Sequence, residues 1–233
     1  MSPHSMRSQL IIPLLTVALF MSTAAICKKT DPVADQAAKA VLEAERIANI
    51  LESPDRQNWQ MPEKVLQELK LKNGDIVADI GAGTGYFSRR FAEKIAPKGL
   101  SIGYDINPAM VEFMQRDANN RDLAQNYKAH LIPSRNPVLE KKYYDLIFFC
   151  NTYQYLENRT AYFKSLAENL KPKGRVVVID FTKLDKTDEE SGEVPENLVD
   201  KDTVKREFKK AGFKLKRDLK FLPSQYFLEF ARE

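Results

Sequence analysis

The sequence predicts an α/β fold: a mostly parallel sheet with helices on both faces, closed by a reversed C-terminal hairpin. Three observations lead there. Apolar runs of strand length alternate with helical patterns from Ile76 to Phe181. The runs Leu146–Cys150 and Arg175–Phe181 are apolar almost without a break, as in strands buried on both faces. Phe213–Leu222 and Tyr226–Phe230 have only Pro223-Ser224-Gln225 between the first run and the core of the second, too little for a crossover helix, so they pair antiparallel.

The elements follow in order. Ala34–Glu52 is rich in Ala, Glu and Lys and carries Val41, Leu42, Ile47, Ile50 and Leu51 on one side of a helix. Pro62 opens a short helix to Leu69, at a position where its missing N–H is harmless. After the turn Lys72-Asn73-Gly74-Asp75, Ile76–Ile80 is the first strand, and a glycine-rich loop leads into a helix over Tyr86–Ile95. Leu100–Asp105 is the second strand, with a helix opening at Pro108. Tyr127–Ile132 is a weak third, and Leu146–Cys150 the fourth. Thr160–Leu170 reads as a helix stopped by the turn Lys171-Pro172-Lys173-Gly174, before strand five over Arg175–Phe181. Asp185–Gly192 is a polar surface loop. Asp202 is placed to cap a helix over Thr203–Ala211, which Gly212 ends.

With 233 residues, 43% apolar and 29% charged, the chain is one domain with an appendage. Two Cys and two His exclude a disulfide framework, a Cys/His zinc cluster and catalysis by several histidines, and no metal site is expected. The net charge of +4 is too small to argue for nucleic acid. Residues 201–220 hold nine cations against three acids, but no aromatic motif accompanies them, so a solvated face is expected.

Residues 1–33 stand apart. Arg7 precedes an uncharged segment, Leu10–Ile26, followed by Cys27, Lys28 and Lys29. This arrangement resembles a bacterial lipoprotein signal with Cys27 as the lipidated residue, although Ile26 and Ala24 depart from the pattern before the Cys. A second reading is an uncleaved anchor of 17 residues, whose flanking cations Lys28, Lys29, Lys39 and Arg46 would keep the domain in the cytoplasm. Either way the chain is expected at a membrane. Residues 34–233 form the domain, with 34–70 as a helical lid. Cys150, inside an apolar run, reads as an inert thiol.

The chemistry concentrates at Asp79-Ile80-Gly81-Ala82-Gly83-Thr84-Gly85. Glycines there let the chain turn sharply and let a ligand approach the backbone. Asp105, at the end of the next strand, can accept from both hydroxyls of a ribose, or cap the helix at Pro108. The spacing G-x-G-x-G differs from the G-x-G-x-x-G of dinucleotide folds and disfavours a nicotinamide oxidoreductase.

From Gln57 to Phe230 the chain resembles the class I S-adenosylmethionine-dependent methyltransferases. Asp79–Gly85 is similar to that family's first motif, Gly103–Met110 to its second, Tyr144–Phe149 to its fourth strand, and Leu170–Arg175 to the turn before strand five. Trp59-Gln60-Met61-Pro62 resembles the opening segment of a small-molecule subgroup. The resemblance implies a Rossmann-like sheet of seven strands with the last reversed, and S-adenosylmethionine as cofactor. It implies that Asp79, Gly81, Ala82, Gly83, Thr84 and Gly85 hold the methionine part, Asp105 the ribose, and that Ile106 packs on the adenine. The acid that the family often places after strand three is missing from Leu131–Pro137, where Ser134 or Asn136 could accept instead. Asn151-Thr152-Tyr153 is a distant likeness of an Asn-Pro-Pro-Tyr motif without its prolines.

A sulfonium methyl is already activated, so alignment and exclusion of water are the main tasks. Asn151, Tyr153, Tyr155 and Trp59 are candidates for substrate contact. For Tyr153 and Tyr155 the competing reading is packing over the cofactor, and Trp59 is either a lid over the site or a core staple. His130, on strand three, reads as structural. The acceptor is expected to be a small or lipid-like molecule. The rival reading is an exported lipoprotein that keeps the fold but binds without catalysing. S-adenosylmethionine is made in the cytoplasm, and an exported enzyme would need a supply of it.

Overall fold

The computed structural model describes residues 32–133, 139–182 and 197–233, with the backbone alone for 32–41. Leu10–Ile26, Cys27, Ser134, Asn136 and the loop Asp185–Gly192 lie outside the described residues. Among the described residues, no helix is long and apolar enough to cross a membrane.

Three helices precede the sheet: α1 (Pro32–Leu51), α2 (Arg56–Trp59) and α3 (Pro62–Leu69). Then come β1 (Ile76–Ile80), α4 (Ser88–Ile95), β2 (Leu100–Asp105), α5 (Pro108–Asn120), β3 (Tyr127–Leu131) and β4 (Tyr144–Cys150). The chain closes with α6 (Arg159–Leu166), β5 (Leu170–Phe181), α7 (Lys201–Lys210), β6 (Phe213–Leu219) and β7 (Gln225–Arg232). The strand order is β3-β2-β1-β4-β5-β7-β6. The first five strands are parallel, and β7 runs antiparallel to both β5 and β6. This is the predicted sheet, with the reversed strand inserted between its neighbours. The order reverses between β1 and β4, which opens a crevice at their carboxyl ends.

The unbroken apolar runs serve two layers at once. Ile147, Phe149, Val176 and Val178 belong to the cluster under α6 and α7, with Phe163 and Phe208. Leu146, Phe148, Val177 and Ile179 belong to the cluster under α3 and α4, with Leu69 and Phe91. Side chains alternate across a strand, so a strand covered on both faces needs apolar residues at every position. The aromatic series Tyr153, Phe163, Phe208 and Phe230 runs through the first layer, with the last pair stacked 3.9 Å apart.

Four local expectations are corrected. Lys171–Gly174 is not a turn: it continues β5 through an irregularity in which the register jumps from Tyr144↔Leu170 to Leu146↔Arg175. The helix before it therefore ends at Leu166, and Ala167–Asn169 forms a 3₁₀ turn. Asp200, not Asp202, caps α7, accepting from the N–H groups of Asp202 and Thr203. Asn107, not Asp105, caps α5, which leaves the Asp105 carboxylate for other partners.

Candidate cofactor site

A cavity of about 310 Å³ opens at the carboxyl ends of β1, β2 and β4. Gly81, Gly83, Asp105, Ile106 and Asn151, all singled out in the sequence, line it together. Met110, Ile132, Pro133, Leu156 and Tyr155 complete much of the wall, and Ile47 and Leu51 of α1 close one side.

The glycine loop is shaped by approach as much as by turning. Gly81 has φ +72, and a Cβ there would fall 2.4 Å from Thr152 Oγ1. Gly83 has φ +56, and its Cβ would fall 2.7 Å from Leu51 Cδ1. An L side chain is strained at such angles, and here there is also no room for one. Gly85 serves a different neighbour, because its missing Cβ leaves space for the Tyr127 hydroxyl and Met114 rather than for the cavity.

Asp105 is fixed by the backbone. Its Oδ2 accepts from Gly83 N–H at 2.7 Å and its Oδ1 from Asn107 N–H at 2.9 Å. Burial pushes its pKa up, and the N–H bonds from Asn107, Gly83 and Ile106 pull against that shift. Each oxygen keeps a further lone pair, so the carboxylate can still accept from a ribose diol. Ile106, beside it, is 58% exposed and offers a flat apolar platform.

Asn151 sits at the end of β4 with φ +54, a conformation Asn tolerates better than most residues. Its Oδ1 accepts from Gln225 Nε2 at 2.5 Å. Tyr155 lines the mouth and is 68% exposed.

Other predicted residues stand elsewhere. Asp79 is buried away from the cavity wall, accepting from Ser88 Oγ at 2.6 Å. Burial raises its pKa to about 7, the Ser88 bond opposes the rise, and the Asp105 charge adds to it. Thr84 donates to Glu52, and Ala82 packs against the cluster around Met114, so both support the loop rather than line the cavity. Tyr153 is wholly buried, and its hydroxyl donates to Glu207 Oε2 at 2.5 Å, which makes it core. The Trp59 ring lies 5.5 Å from that of Phe181, outside the wall. His130 is exposed and stacks on Tyr104. Cys150 accepts from Gln60 Nε2 at 3.0 Å, and burial pushes its thiol up, which keeps it protonated.

Sequence reasoning missed the support from the N-terminal helices. Glu52, one residue past α1, binds Arg89 and Thr84 and so ties α1 to the glycine loop. Arg56, only 6% exposed, lies 3.7 Å over the Tyr86 ring, donates to Gln60 Oε1 at 2.6 Å and bonds the Leu51 carbonyl. Glu52 lies 32 and 37 residues from its partners, so no local pattern marks the pairing, whereas Arg56 bonds residues four and five positions away and gives no sign in sequence that it is buried.

The site fits S-adenosylmethionine on its own terms. Glycine backbone that excludes any Cβ can face the amino-acid part, a fixed carboxylate can face the ribose, and an apolar slot between Ile106, Ile132 and Pro133 can take the base. No group of three His, Cys, Asp or Glu side chains among the described residues comes together as a metal site.

Comparison with known proteins agrees with this geometry. A family described as "Methyltransferase domain" matches residues 71–212, more than half of the chain. The ubiquinone/menaquinone biosynthesis C-methyltransferase UbiE of Pseudomonas putida is 24% identical over 113 residues, covering 48% of this chain and 44% of that protein. The protein of the same name from Francisella tularensis subsp. novicida is 26% identical, covering 48% and 45%. The chain therefore spans less than half the length of the curated relatives it matches. Among solved structures, a SAM-dependent methyltransferase from Aquifex aeolicus superposes with a TM-score of 0.73 at 24% identity, over 80% of this chain and 97% of that one. The Phospholethanolamine N-methyltransferase 2 of Haemonchus contortus, solved with S-adenosylhomocysteine, gives 0.59 at 15% identity, over 75% and 52%. The chain belongs to the methyltransferase-domain family, and the cofactor that goes with this family and fold is S-adenosylmethionine.

Proposed function

We propose that the protein transfers the methyl group of S-adenosylmethionine to a small or lipid-like acceptor. One observation carries this reading: Gly81, Gly83 and the Asp105 carboxylate meet in one cavity at the carboxyl ends of β1 and β2. The cofactor supplies a methyl already activated on a sulfonium, which leaves to an acceptor lone pair as the sulfur keeps the bonding electrons. The chain's own residues bind and orient. Asp105 holds the ribose, the glycine loop holds the amino-acid part, and Ile47, Leu51 and Leu156 shut out water. Asp105 is the sole carboxylate among the described wall residues, and backbone N–H groups already occupy it. Among the described wall residues the chain thus contributes position and dryness rather than a general base, which suits an acceptor that attacks with a lone pair it already holds.

The apolar mouth, with Ile106, Tyr155 and Leu156, supports a lipid-like acceptor. So do the names of the UbiE relatives, which place those proteins in quinone biosynthesis. The uncharged segment Leu10–Ile26 followed by Cys27 supports attachment to a membrane, with Cys27 lipidated. Calorimetry of the full chain with S-adenosylmethionine and S-adenosylhomocysteine tests the activity class, and a folded protein that binds neither would overturn it. Cell fractionation tests the attachment: Cys27→Ser should move the protein from the membrane pellet to the soluble fraction.

A further inference from the structure

Among the described residues six large apolar side chains stand exposed: Leu42, Ile50, Ile106, Leu131, Tyr155 and Leu215. Single exposed apolar residues are ordinary, so their placement matters rather than their number. Leu215 stands apart on β6, the edge strand at the far side of the sheet. Ile106 is accounted for as the platform for the cofactor's base. The other four are each 55% exposed or more and frame the mouth of the cavity. Tyr155 lines it, and Leu131 ends β3 next to the wall residue Ile132. Leu42 and Ile50 belong to α1, whose Ile47 and Leu51 close one side of the cavity. Helical spacing puts Leu42 opposite Leu51, so α1 is apolar toward the cavity and also carries Leu42 outward.

What covers this rim follows from the chain beside it. α1 starts at Pro32, five residues after Cys27, and five extended residues reach at most about 18 Å. A membrane that holds Leu10–Ile26 or a lipidated Cys27 therefore holds the start of α1 at its surface. Charge agrees with such a surface. A groove between α6 and α7 runs on from Leu156, which belongs to both walls, and carries Arg159, Lys164 and Lys210 against Glu157 and Glu207. Glu207 is already paired with Arg159, while Lys164 and Lys210 are exposed and make no ion pair among the described residues. Apolar side chains beside such cations suit an anionic lipid surface: the first enter the headgroup region and the second meet its phosphates. We infer that the cavity mouth docks on a lipid bilayer through Leu42, Ile50, Leu131 and Tyr155, so that a lipid-like acceptor enters the site from the bilayer without crossing water. This rests on the membrane attachment and the lipid-like acceptor proposed above.

The test uses tryptophan as a depth gauge, since the chain has a single Trp, Trp59. The full chain carrying Trp59→Phe is bound to vesicles of phosphatidylcholine and phosphatidylglycerol whose acyl chains are brominated and quench indole on contact. One Trp is returned at a time: Leu42→Trp, Leu131→Trp or Tyr155→Trp on the rim, and Lys173→Trp, exposed near the amino end of β5, as the control. The three rim positions should be quenched and the control should not. Equal quenching at all four, or at none, would overturn the proposal. Leu42→Asp with Ile50→Asp replaces two exposed side chains, so the Tm should hold, while quenching of Tyr155→Trp should fall to the control level. Undiminished quenching would also overturn it. Shielding of the rim from aqueous iodide without vesicles, with a doubled mass in sedimentation, would make the occupant a second copy of the chain and overturn the bilayer. A chain that does not float with the vesicles overturns the attachment reading and this proposal with it. A chain that floats and binds S-adenosylhomocysteine while its rim stays unquenched overturns this proposal alone.

Discussion

The two walls of the cavity are built on different principles. On the β1–β2 side the backbone forms the surface, with Gly81, Gly83 and a carboxylate pinned by N–H groups. On the β4 side side chains form it, and neighbouring residues part ways: Asn151 and Tyr155 reach the cavity, while Tyr153 between them is buried in the core. A wall of backbone tolerates no added atom. A wall of side chains depends on partners brought from Glu207 and Gln225, far along the chain.

The two walls touch at Gly81 and Thr152, and the largest expected effect lies there. Gly81→Ala places a methyl at φ +72 and 2.4 Å from Thr152 Oγ1. Left-handed strain and overpacking together should remove about 3 kcal/mol or more of stability in urea unfolding. Adding Thr152→Ala should recover roughly 1 kcal/mol, because the two sites share one space. Additive losses would show that the walls are independent. Next, Asp105→Ala should weaken S-adenosylhomocysteine roughly 10- to 100-fold, the range for hydrogen bonds to a charged group. Asp218→Ala, which removes ion pairs with Lys201 and Lys205 away from the cavity, should leave the affinity unchanged. Equal affinities would show that the ribose contact is elsewhere.

Protonation separates the strand ends further. Burial raises both Asp79 on β1 and Asp180 on β5 to about 7, with the Ser88 bond opposing in one and the N–H groups of Phe181, Tyr153 and Thr152 opposing in the other. An unfolded Asp titrates near 3.9. Between about pH 4 and pH 7 each of these two carboxyls therefore holds its proton more firmly in the folded chain than in the unfolded one, and the stability it contributes falls as pH rises through that window. Asp79→Asn should remove one such group and flatten the fall by up to about 1.4 kcal/mol per pH unit in urea unfolding between pH 5 and pH 7. An unchanged slope would mean that Asp79 is already ionised in the folded protein.

The same division decides what could be read in advance. Periodicity located β1, β2 and α3 to the residue, and the glycine spacing located the cavity, because each is written in a few consecutive residues. The Lys171–Gly174 stretch has turn composition, yet it runs on within β5 as the irregularity between the Tyr144↔Leu170 and Leu146↔Arg175 pairs. Asp79 is close to the cavity in sequence, but strand alternation sends its side chain to Ser88.

Tyr153 and Tyr155 give the finest comparison, because sequence treats them alike and the fold does not. Tyr153 stacks 5.6 Å from Phe163 and donates to Glu207, which also pairs with Arg159 at 2.8 Å. Tyr153→Phe removes the bond and keeps the ring, so stability should fall by about 1–2 kcal/mol while cofactor affinity holds. Tyr155→Ala should do the reverse. Its ring stands largely in solvent at the mouth, so the melting temperature should not move. What the ring can touch is whatever enters above the cofactor, so the loss should fall on methyl transfer to a lipid-like acceptor and leave S-adenosylhomocysteine binding within about twofold, less than one hydrogen bond is worth. A drop in melting temperature for Tyr155→Ala, or a drop in cofactor affinity for Tyr153→Phe, would mean that the β4 wall is one packed unit and that the exposure of Tyr155 carries no role of its own.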